Sequence, residues 1–383
     1  MRNLLFLTML AGLLSTSAVA ENHYRLESPD GNLSVSINID HHITYAVYDK
    51  GEAVILPSVI AMNLGSKVLG SSPAVKNAST HEVNKSITPL YGKFSKLSEH
   101  YRELKITFKG NYAVVFRAYD QGIAYRFMTS IKDSIKVMSE TAQFNLAGRP
   151  GAILPVAHNL TSWELPYTSY SSVSLVPNGD TVVLPALFSF EKLHIKVVLA
   201  ESDLMNYPGM FIRVDHSNVH GFWAGYPAKT AMGSWGNFVS VVKKRAPYIA
   251  ATKGTRSFPW RVAIITDDDR ELLSNELIYK LASPSRLHDA AWIKPGKAAW
   301  EWWSDAMLPG ADIPSGMDNR NTALYKYYVD FAAKYNLEYV LIDAGWSNIF
   351  HLSKVNPKID IREVISYAKK KKVGVFLWCV AST

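Results

Sequence analysis

The chain of 383 residues carries 41 basic and 33 acidic side chains, which gives a formal net charge of +8. The basic residues are scattered apart from four lysines at 369–372, and this distribution argues against a nucleic-acid-binding protein. The single cysteine, Cys379, excludes an internal disulfide, which a chain of this length does not need because it can bury a large core.

The first twenty residues predict an export signal. Arg2 supplies a positive charge, residues 4–14 form a short apolar stretch, and Ala18 and Ala20 mark a cleavage site. That stretch is too short to span a bilayer, and no other stretch reaches spanning length. We therefore expect cleavage after Ala20, secretion, and no membrane insertion.

Residues 24–261 consist of short segments in which apolar and polar residues alternate, such as 33–39, 113–119 and 195–199. Period-two alternation with frequent turn residues predicts a large antiparallel β-sandwich. Leucines at helical spacing then predict a helix over 267–282. We place a signal peptide at 1–20, the sandwich domain at 21–270 and a helical linker at 271–296.

Aromatic residues make up 12% of the chain, with ten tryptophans and twenty tyrosines. Sugars bind to proteins by stacking on aromatic rings and by hydrogen bonds to carboxylates and amides. Aromatic residues also fill the cores of β-sandwiches. Composition alone leaves these two interpretations equally open.

Residues 297–383 alternate between strand and helix patterns. Continuous apolar runs of the kind found in buried parallel strands predict three strands, separated by two amphipathic helices. Three such units predict the opening of a (β/α)8 TIM barrel, and because three strands cannot close a barrel we expect a truncated one. The strands are predicted at 297–303, 338–342 and 373–379, and the helices at 322–335 and 361–371.

Acidic residues and tryptophans occur together where the predicted strands end, which in such a barrel is the side of the active site. The clusters are WEWWSD at 300–305, IDAGW at 342–346 and WCVAS at 378–382. A tryptophan beside a carboxylate suits a sugar, since the ring stacks and the acid accepts hydroxyl protons. The candidate substrate-binding residues are Trp302, Asp343 and Trp346.

Two neighbours of these candidates need separate interpretations. Gly345 favours a functional Asp343, because a glycine lets a ligand approach the backbone closely. For Glu301 we favour a structural role, because alternate side chains of its strand point into the helix layer. The alternative for the whole group is that the tryptophans cover the barrel end and the acids cap the following helices.

Five segments of the chain together resemble glycoside hydrolase family 97. The resemblance implies an N-terminal β-super-sandwich, a (β/α)8 catalytic barrel and a small C-terminal β-domain. It also implies a calcium-dependent α-glycosidase of the periplasm or outer surface of a Gram-negative bacterium. The segments are FPWRV at 258–262, LASPSRL at 281–287, WIKPGK at 292–297, YVDFAA at 328–333 and YVLIDAGW at 339–346.

The family that this chain resembles has two mechanistic branches, and one position in the sequence distinguishes them. Inverting α-glucosidase members carry a glutamate base at the end of strand three, where this chain has Val380, and valine cannot activate water. Retaining α-galactosidase-like members use an aspartate after strand four and a glutamate further on, both of which would lie past Thr383. Asp343 and Trp346 also resemble a strand-two motif of related α-galactosidases, in which the acid holds sugar hydroxyls.

The resemblance extends to the calcium site and to one further acidic pair. WELPYT at 163–168 is similar to the segment that donates a calcium ligand from the sandwich, which points to Glu164. An exposed loop acid is the alternative, since calcium takes six to eight oxygens from several segments. Glu201 and Asp203 are interpreted as structural.

The expected function is an exo-acting, calcium-dependent retaining α-galactosidase that acts on oligosaccharides or simple α-galactosides. Its catalytic carboxylates would lie beyond the chain end, so we expect this fragment to be inactive. The alternatives are an inverting α-glucosidase of the same family and a non-catalytic carbohydrate-binding remnant. No nucleic-acid partner is expected.

Overall fold

The computed structural model describes residues 22–157, 160, 165–233 and 240–379. The described residues form two compact units. The first comprises the chain up to Ala228 together with Arg245–Ser285, and the second comprises Lys229–Lys244 together with the chain from Arg286 onward. The domain boundaries expected at residues 270 and 296 are a different division and stay a prediction.

The first unit consists almost entirely of β-strands, as its alternating sequence predicts. In β2, for example, every second side chain is buried while the intervening ones become more exposed toward its end. Strands β18 Pro227–Met232 and β19 Ser240–Arg245 pair with each other and lie mostly in the second unit. The strands of the first unit are β1 His23–Glu27, β2 Leu33–Ile39, β3 Ile43–Asp49, β4 Glu52–Asn63, β5 Val68–Leu69, β6 Val75–Ile87, β7 Leu97–Phe108, β8 Tyr112–Tyr119, β9 Gly122–Val137, β10 Ser139–Leu146, β11 Gly151–Ala157, β12 Tyr167–Tyr170, β13 Thr181–Val182, β14 Ala186–Phe190, β15 Ile195–Ser202, β16 Phe211–Asp215, β17 Asn218–Phe222, β20 Ala250–Ser257 and β21 Trp260–Thr266.

These strands pair antiparallel along two routes. One runs β6-β7-β8-β9-β21-β15-β14-β11, and the other runs β1-β2-β3-β4-β10-β17-β16-β13. Since β11 pairs with both β13 and β14, the routes join, within the described part of the chain, into one 19-stranded sheet. Tyr45 of β3 contacts Phe116 of β8 and Tyr125 of β9, with ring centroids 6.1 and 5.3 Å apart. The two routes therefore share one apolar core.

A buried ionic network lies within this core. The Arg261 side chain is 1% exposed, and its Nε and Nη2 donate to the two oxygens of Glu140 at 2.8 and 2.9 Å. Its Nη1 donates to Glu201 at 2.8 Å, and Tyr207 donates to Glu140 at 2.9 Å. Burial by itself would lower the pKa of Arg261, but the charge and hydrogen bonds of Glu140 outweigh burial and raise it. Glu201 thus has a structural partner in Arg261, which agrees with the structural role expected for it from the sequence.

The helix predicted over 267–282 is wrong in one respect, because two short helices occupy this stretch. They are α1 Asp269–Ser274 and α2 Leu277–Leu281. Asn275 has an extended backbone, with φ −67° and ψ 126°, and its side chain accepts a hydrogen bond from the Leu277 amide. Asparagine favours such local bonds over helix continuation, and this bond starts a second helix.

The second unit contains a parallel three-stranded sheet with helices between its strands. Its elements are β22 Ala298–Trp300, α3 Thr322–Lys334, β23 Tyr339–Ile342, β24 Ser347–Asn348, β25 His351–Val355, α4 Ile361–Lys370 and β26 Gly374–Leu377. Strand β23 lies between the other two and pairs parallel with both. The buried faces of α3 and α4 pack on this sheet through residues such as Leu324, Val329 and Val364. Among the described residues no helix is long and apolar enough to cross a bilayer.

Two predicted strands are longer than the strands observed. The first was expected at 297–303 but ends at Trp300, because the chain turns into a 3-10 helix at Glu301–Ser304. The Ala306 amide bonds back to the Glu301 carbonyl, and Asp305 has the left-handed backbone that closes the turn. The third was expected at 373–379, and β26 ends at Leu377. Apolar and aromatic residues continue past the pairing in both places, so hydrophobicity alone overestimates these strands.

Candidate functional site

The candidate site lies where β22 and β23 end. These strands run parallel and pair through Trp300 and Leu341, so the residues that follow them lie side by side. Glu301 follows β22 and is 1% exposed, and Asp343 follows β23 and is 7% exposed. Two acids buried at adjacent strand ends are unusual, because carboxylates are rarely buried without partners.

Three hydrogen bonds hold Asp343. The Trp300 indole Nε1 donates to its Oδ2 at 2.8 Å, and the Ala344 amide donates to its Oδ1 at 2.6 Å. Its own backbone amide donates to Glu301 Oε1 at 2.9 Å. Each carboxylate oxygen therefore accepts one bond from the protein and retains lone pairs for other donors.

Glu301 connects this strand end to the next helix. Its Oε1 also accepts a bond from the Tyr325 hydroxyl at 3.2 Å and lies 3.8 Å from Arg320 Nε. Burial raises the pKa of Glu301, although the Asp343 amide, the Arg320 charge and Tyr325 act to lower it. From the sequence, the Glu301 side chain was expected to point toward the helix layer. The structure shows in addition that Glu301 accepts a hydrogen bond from the backbone amide of Asp343.

Tryptophan rings form the exposed part of the site. The rings of Trp300 and Trp302 are stacked, with centroids 5.2 Å apart and planes 21° apart. Trp302 is 43% exposed and Trp303 is 78% exposed. Indole faces held by their neighbours and open on one side offer stacking surfaces for a sugar ring.

Trp346, the third candidate, is in a different environment. Its indole is 8% exposed, and its Nε1 donates to the Trp378 carbonyl at 2.8 Å. It connects β23 to the end of β26. The structure therefore gives Trp346 a packing contact, and a sugar contact for it stays a prediction.

The space beside Gly345 is occupied by protein. A Cβ at this position would lie 2.6 Å from Arg320 Nη1, and the backbone φ is +110°, which side chains rarely adopt. From the sequence, Gly345 was expected to let a ligand approach the backbone, whereas the structure has the Arg320 guanidinium in this space. Gly345 is required because a largely buried arginine side chain, 13% exposed, packs on the strand end.

Glu164 and Val380, on which the calcium and mechanistic predictions depend, lie outside the described residues. Within residues 22–157, 160, 165–233 and 240–379, no three histidine, cysteine, aspartate or glutamate side chains are grouped so that they could hold a metal ion. The calcium dependence stays a prediction.

Three residues of this cluster were not singled out from the sequence as site residues: Trp300, Arg320 and Tyr325. Trp300 belongs to a motif that the sequence analysis noted, so its position before the strand end was an available signal. Tyr325 could be recognised only as part of the buried face of a helix. Arg320 lies in a loop whose path no periodicity predicts, so no sequence signal identified it.

Comparison with known families gives two matches that together cover most of the chain. Residues 26–284 match the family model described as "Glycosyl-hydrolase 97 N-terminal". Residues 302–383 match the one described as "Glycoside hydrolase 97".

The proteins to which this chain is similar include two curated proteins and a solved structure. A "Retaining alpha-galactosidase" of Bacteroides thetaiotaomicron is 35% identical over 393 residues, covering 99% of this chain and 58% of that protein. A "Probable retaining alpha-galactosidase" of Streptomyces bingchenggensis is 27% identical, covering 88% and 49%. A glycoside hydrolase family 97 enzyme of Pseudoalteromonas sp. strain K8, solved with acarbose, aligns with a TM-score of 0.77 at 20% identity, covering 92% and 53%. The chain thus spans about half the length of the relatives it matches.

Proposed function

Because this chain belongs to glycoside hydrolase family 97, we propose that it is the N-terminal part of an exo-acting retaining α-galactosidase. The observation that carries the proposal is the buried carboxylate of Asp343, held at a strand end beside exposed tryptophan rings. The 35% identity to a protein described as a retaining α-galactosidase supports the choice of sugar. The substrate is an α-galactoside or a galactose-terminated oligosaccharide.

In this proposal the large antiparallel sheet is a β-super-sandwich, and the parallel sheet comprises the first three βα units of a (β/α)8 barrel. The parallel pairing of β22, β23 and β26 supports it, as does the common fold at a TM-score of 0.77. Active sites of such barrels form at the C-terminal ends of the strands, where Asp343 and Trp302 are found. The export signal at the N-terminus is part of the same proposal.

The proposed chemistry is a double displacement. Two carboxylates about 5 Å apart act in turn, one attacking the anomeric carbon and the other protonating the leaving oxygen and then activating water. Both come from the part of the relatives that this chain does not span, and the chain by itself is inactive in this proposal. Asp343 and Trp302 bind and orient the sugar, by hydroxyl hydrogen bonds and by stacking.

Proton NMR of the first-formed sugar tests this mechanism in the full-length protein. With valine at position 380 in place of a glutamate base, we expect the α-anomer of galactose to appear first, because two displacements retain the configuration. A 4-nitrophenyl α-galactoside is the substrate, and the spectrum is recorded within the first minutes, before mutarotation mixes the anomers. The β-anomer appearing first would show inversion and favour the α-glucosidase alternative.

The proposal includes a calcium ion, which the family resemblance implies, with Glu164 as one ligand. In the full-length protein we expect Glu164→Gln to weaken calcium binding by about tenfold, because a neutral amide replaces a charged oxygen donor. Activity falls at low calcium and is partly restored at high calcium. Titration calorimetry measures the affinity, with Glu27→Gln at an exposed glutamate of β1 as the matched control. Equal affinities for wild type and Glu164→Gln would remove Glu164 from the ligand set.

A further inference from the structure

Glu301 has no role in the chemistry described so far, although burial of its carboxylate is energetically unfavourable. Its carboxylate is almost completely buried, and its Oε2 has no hydrogen-bond partner among the described residues. A buried carboxylate with an unpaired oxygen opposes folding, and a neutral side chain of the same size would avoid that penalty. Perturbed acids of this kind cluster at functional sites.

We propose that Glu301 is a positioning residue of the sugar site, which anchors Asp343 so that its carboxylate meets the sugar hydroxyls in one orientation. The inference rests on the proposed function, since it takes Asp343 to be a residue that binds sugar. The bond from the Asp343 amide to Glu301 fixes the backbone at the end of β23. The Trp300 indole then fixes the side chain from the neighbouring strand.

Arg320 and Tyr325 hold Glu301 in turn. The Tyr325 hydroxyl reaches Glu301 from α3, and the Arg320 guanidinium reaches it from the loop before that helix. Arg320 lies in the space that Gly345 leaves, and its Nε has no hydrogen-bond partner within the described part of the chain. The guanidinium therefore responds to the charge of Glu301, which links the ionisation of Glu301 to the geometry at the end of β23.

This arrangement predicts how sugar binding changes with pH. The charged and titratable groups that face Glu301 are Arg320 from the loop, Tyr325 and Tyr328 from α3, and Asp343 from the end of β23. As the pH falls through the raised pKa of Glu301, the carboxylate becomes neutral and attracts Arg320 and the Asp343 amide less. KM for the galactoside then rises. In Glu301→Gln this group cannot ionise, so that part of the pH dependence disappears.

The folding stability changes with pH in the direction opposite to sugar binding. The folded chain holds the Glu301 proton more tightly than the unfolded chain does, because burial raises the pKa above the ordinary value of 4.5. The wild type therefore loses stability at this residue as the pH rises from about 4.5 through the raised pKa. Glu301→Gln escapes that loss.

The experiment compares full-length variants on 4-nitrophenyl α-galactoside. We expect Glu301→Gln to raise KM about tenfold with a smaller change in kcat, and Tyr325→Phe to raise KM in the same direction by a few-fold. Tyr327→Phe is the matched control, since Tyr327 is an exposed tyrosine of the same helix α3. It keeps the wild-type KM and pH profile. Thermal unfolding from about pH 4.5 to pH 7 is recorded for every variant.

Three outcomes decide the inference. A raised KM in Glu301→Gln that lacks the wild-type increase at low pH, with unfolding temperatures no lower than wild type at neutral pH, supports it. A wild-type KM and pH profile in Glu301→Gln, in an enzyme that Asp343→Ala impairs, overturns the inference and leaves the proposed function standing. If the full-length wild type does not cleave α-galactosides, both are overturned.

Discussion

Replacement of Asp343 by alanine in the full-length protein is expected to reduce kcat/KM for α-galactosides by about 30- to 900-fold, equivalent to about 2–4 kcal/mol of transition-state binding. The reason is the position of the carboxylate. It is buried, each oxygen accepts one bond from the protein, and its remaining lone pairs are available to hydroxyls. A site built around such a bond discriminates strongly against sugars that cannot make it.

The loss is expected to be larger for α-galactosides than for α-glucosides, and steady-state kinetics on the two aryl glycosides measures it. Asp343→Asn keeps the shape of the side chain and separates loss of charge from loss of packing against Trp300. Asp312→Ala, at an exposed aspartate of the same unit, is the matched control. Equal losses on both substrates would leave Asp343 as a binding residue and exclude it as the residue that selects galactose.

Replacement of Glu140 by alanine is expected to destabilise the first unit by about 3–5 kcal/mol, because it leaves Arg261 buried with only part of its compensation. Arg261 and Glu140 have side chains that are 1% and 2% exposed, and two hydrogen bonds join them. Tyr207 also loses its acceptor.

Calorimetry of the full-length protein provides the measurement, with the first unit expected to unfold about 10 °C lower. Glu27→Ala is the control, since its ion pair with Arg25 is exposed and pairs of that kind contribute at most about 1 kcal/mol. Because buried ionic networks are often replaceable as a unit, the triple substitution of Glu140 by leucine, Arg261 by methionine and Glu201 by glutamine should recover part of the loss. An unchanged unfolding temperature for Glu140→Ala would show that Glu201 alone compensates Arg261.

Periodicity identified those main elements that have one buried and one more exposed face. The alternation in residues 33–39 became β2 with the same bounds, and helix 322–335 became α3 with one residue fewer. The errors occurred where local bonds interrupt a continuing apolar pattern. Asn275 divides one predicted helix into two, and the turn at Glu301 ends β22 early. Neither interruption changes the hydrophobic pattern that the prediction used.

The candidate site was only partly accessible from the sequence. Asp343, Trp302 and Trp346 could be selected because they lie at or just after the ends of predicted parallel strands, and those ends meet at one edge of a sheet. The different environments of Trp302 and Trp346 could not be predicted from the sequence. Both follow an apolar run, yet Trp302 is half exposed and Trp346 is buried against Trp378. The difference arises from contacts with a strand more than thirty residues away.

The sequence by itself determined the family, the predominance of β-structure before the parallel βα units, and the strand ends at which to look for sugar-binding residues. Those properties depend on local period and on short motifs. Only the tertiary structure decided the partners of Glu301, the arginine in the space beside Gly345 and the burial of Arg261 with Glu140. Each of these joins residues that are distant in the chain. Their energies depend on burial and on charge compensation, which arise when separate elements pack together.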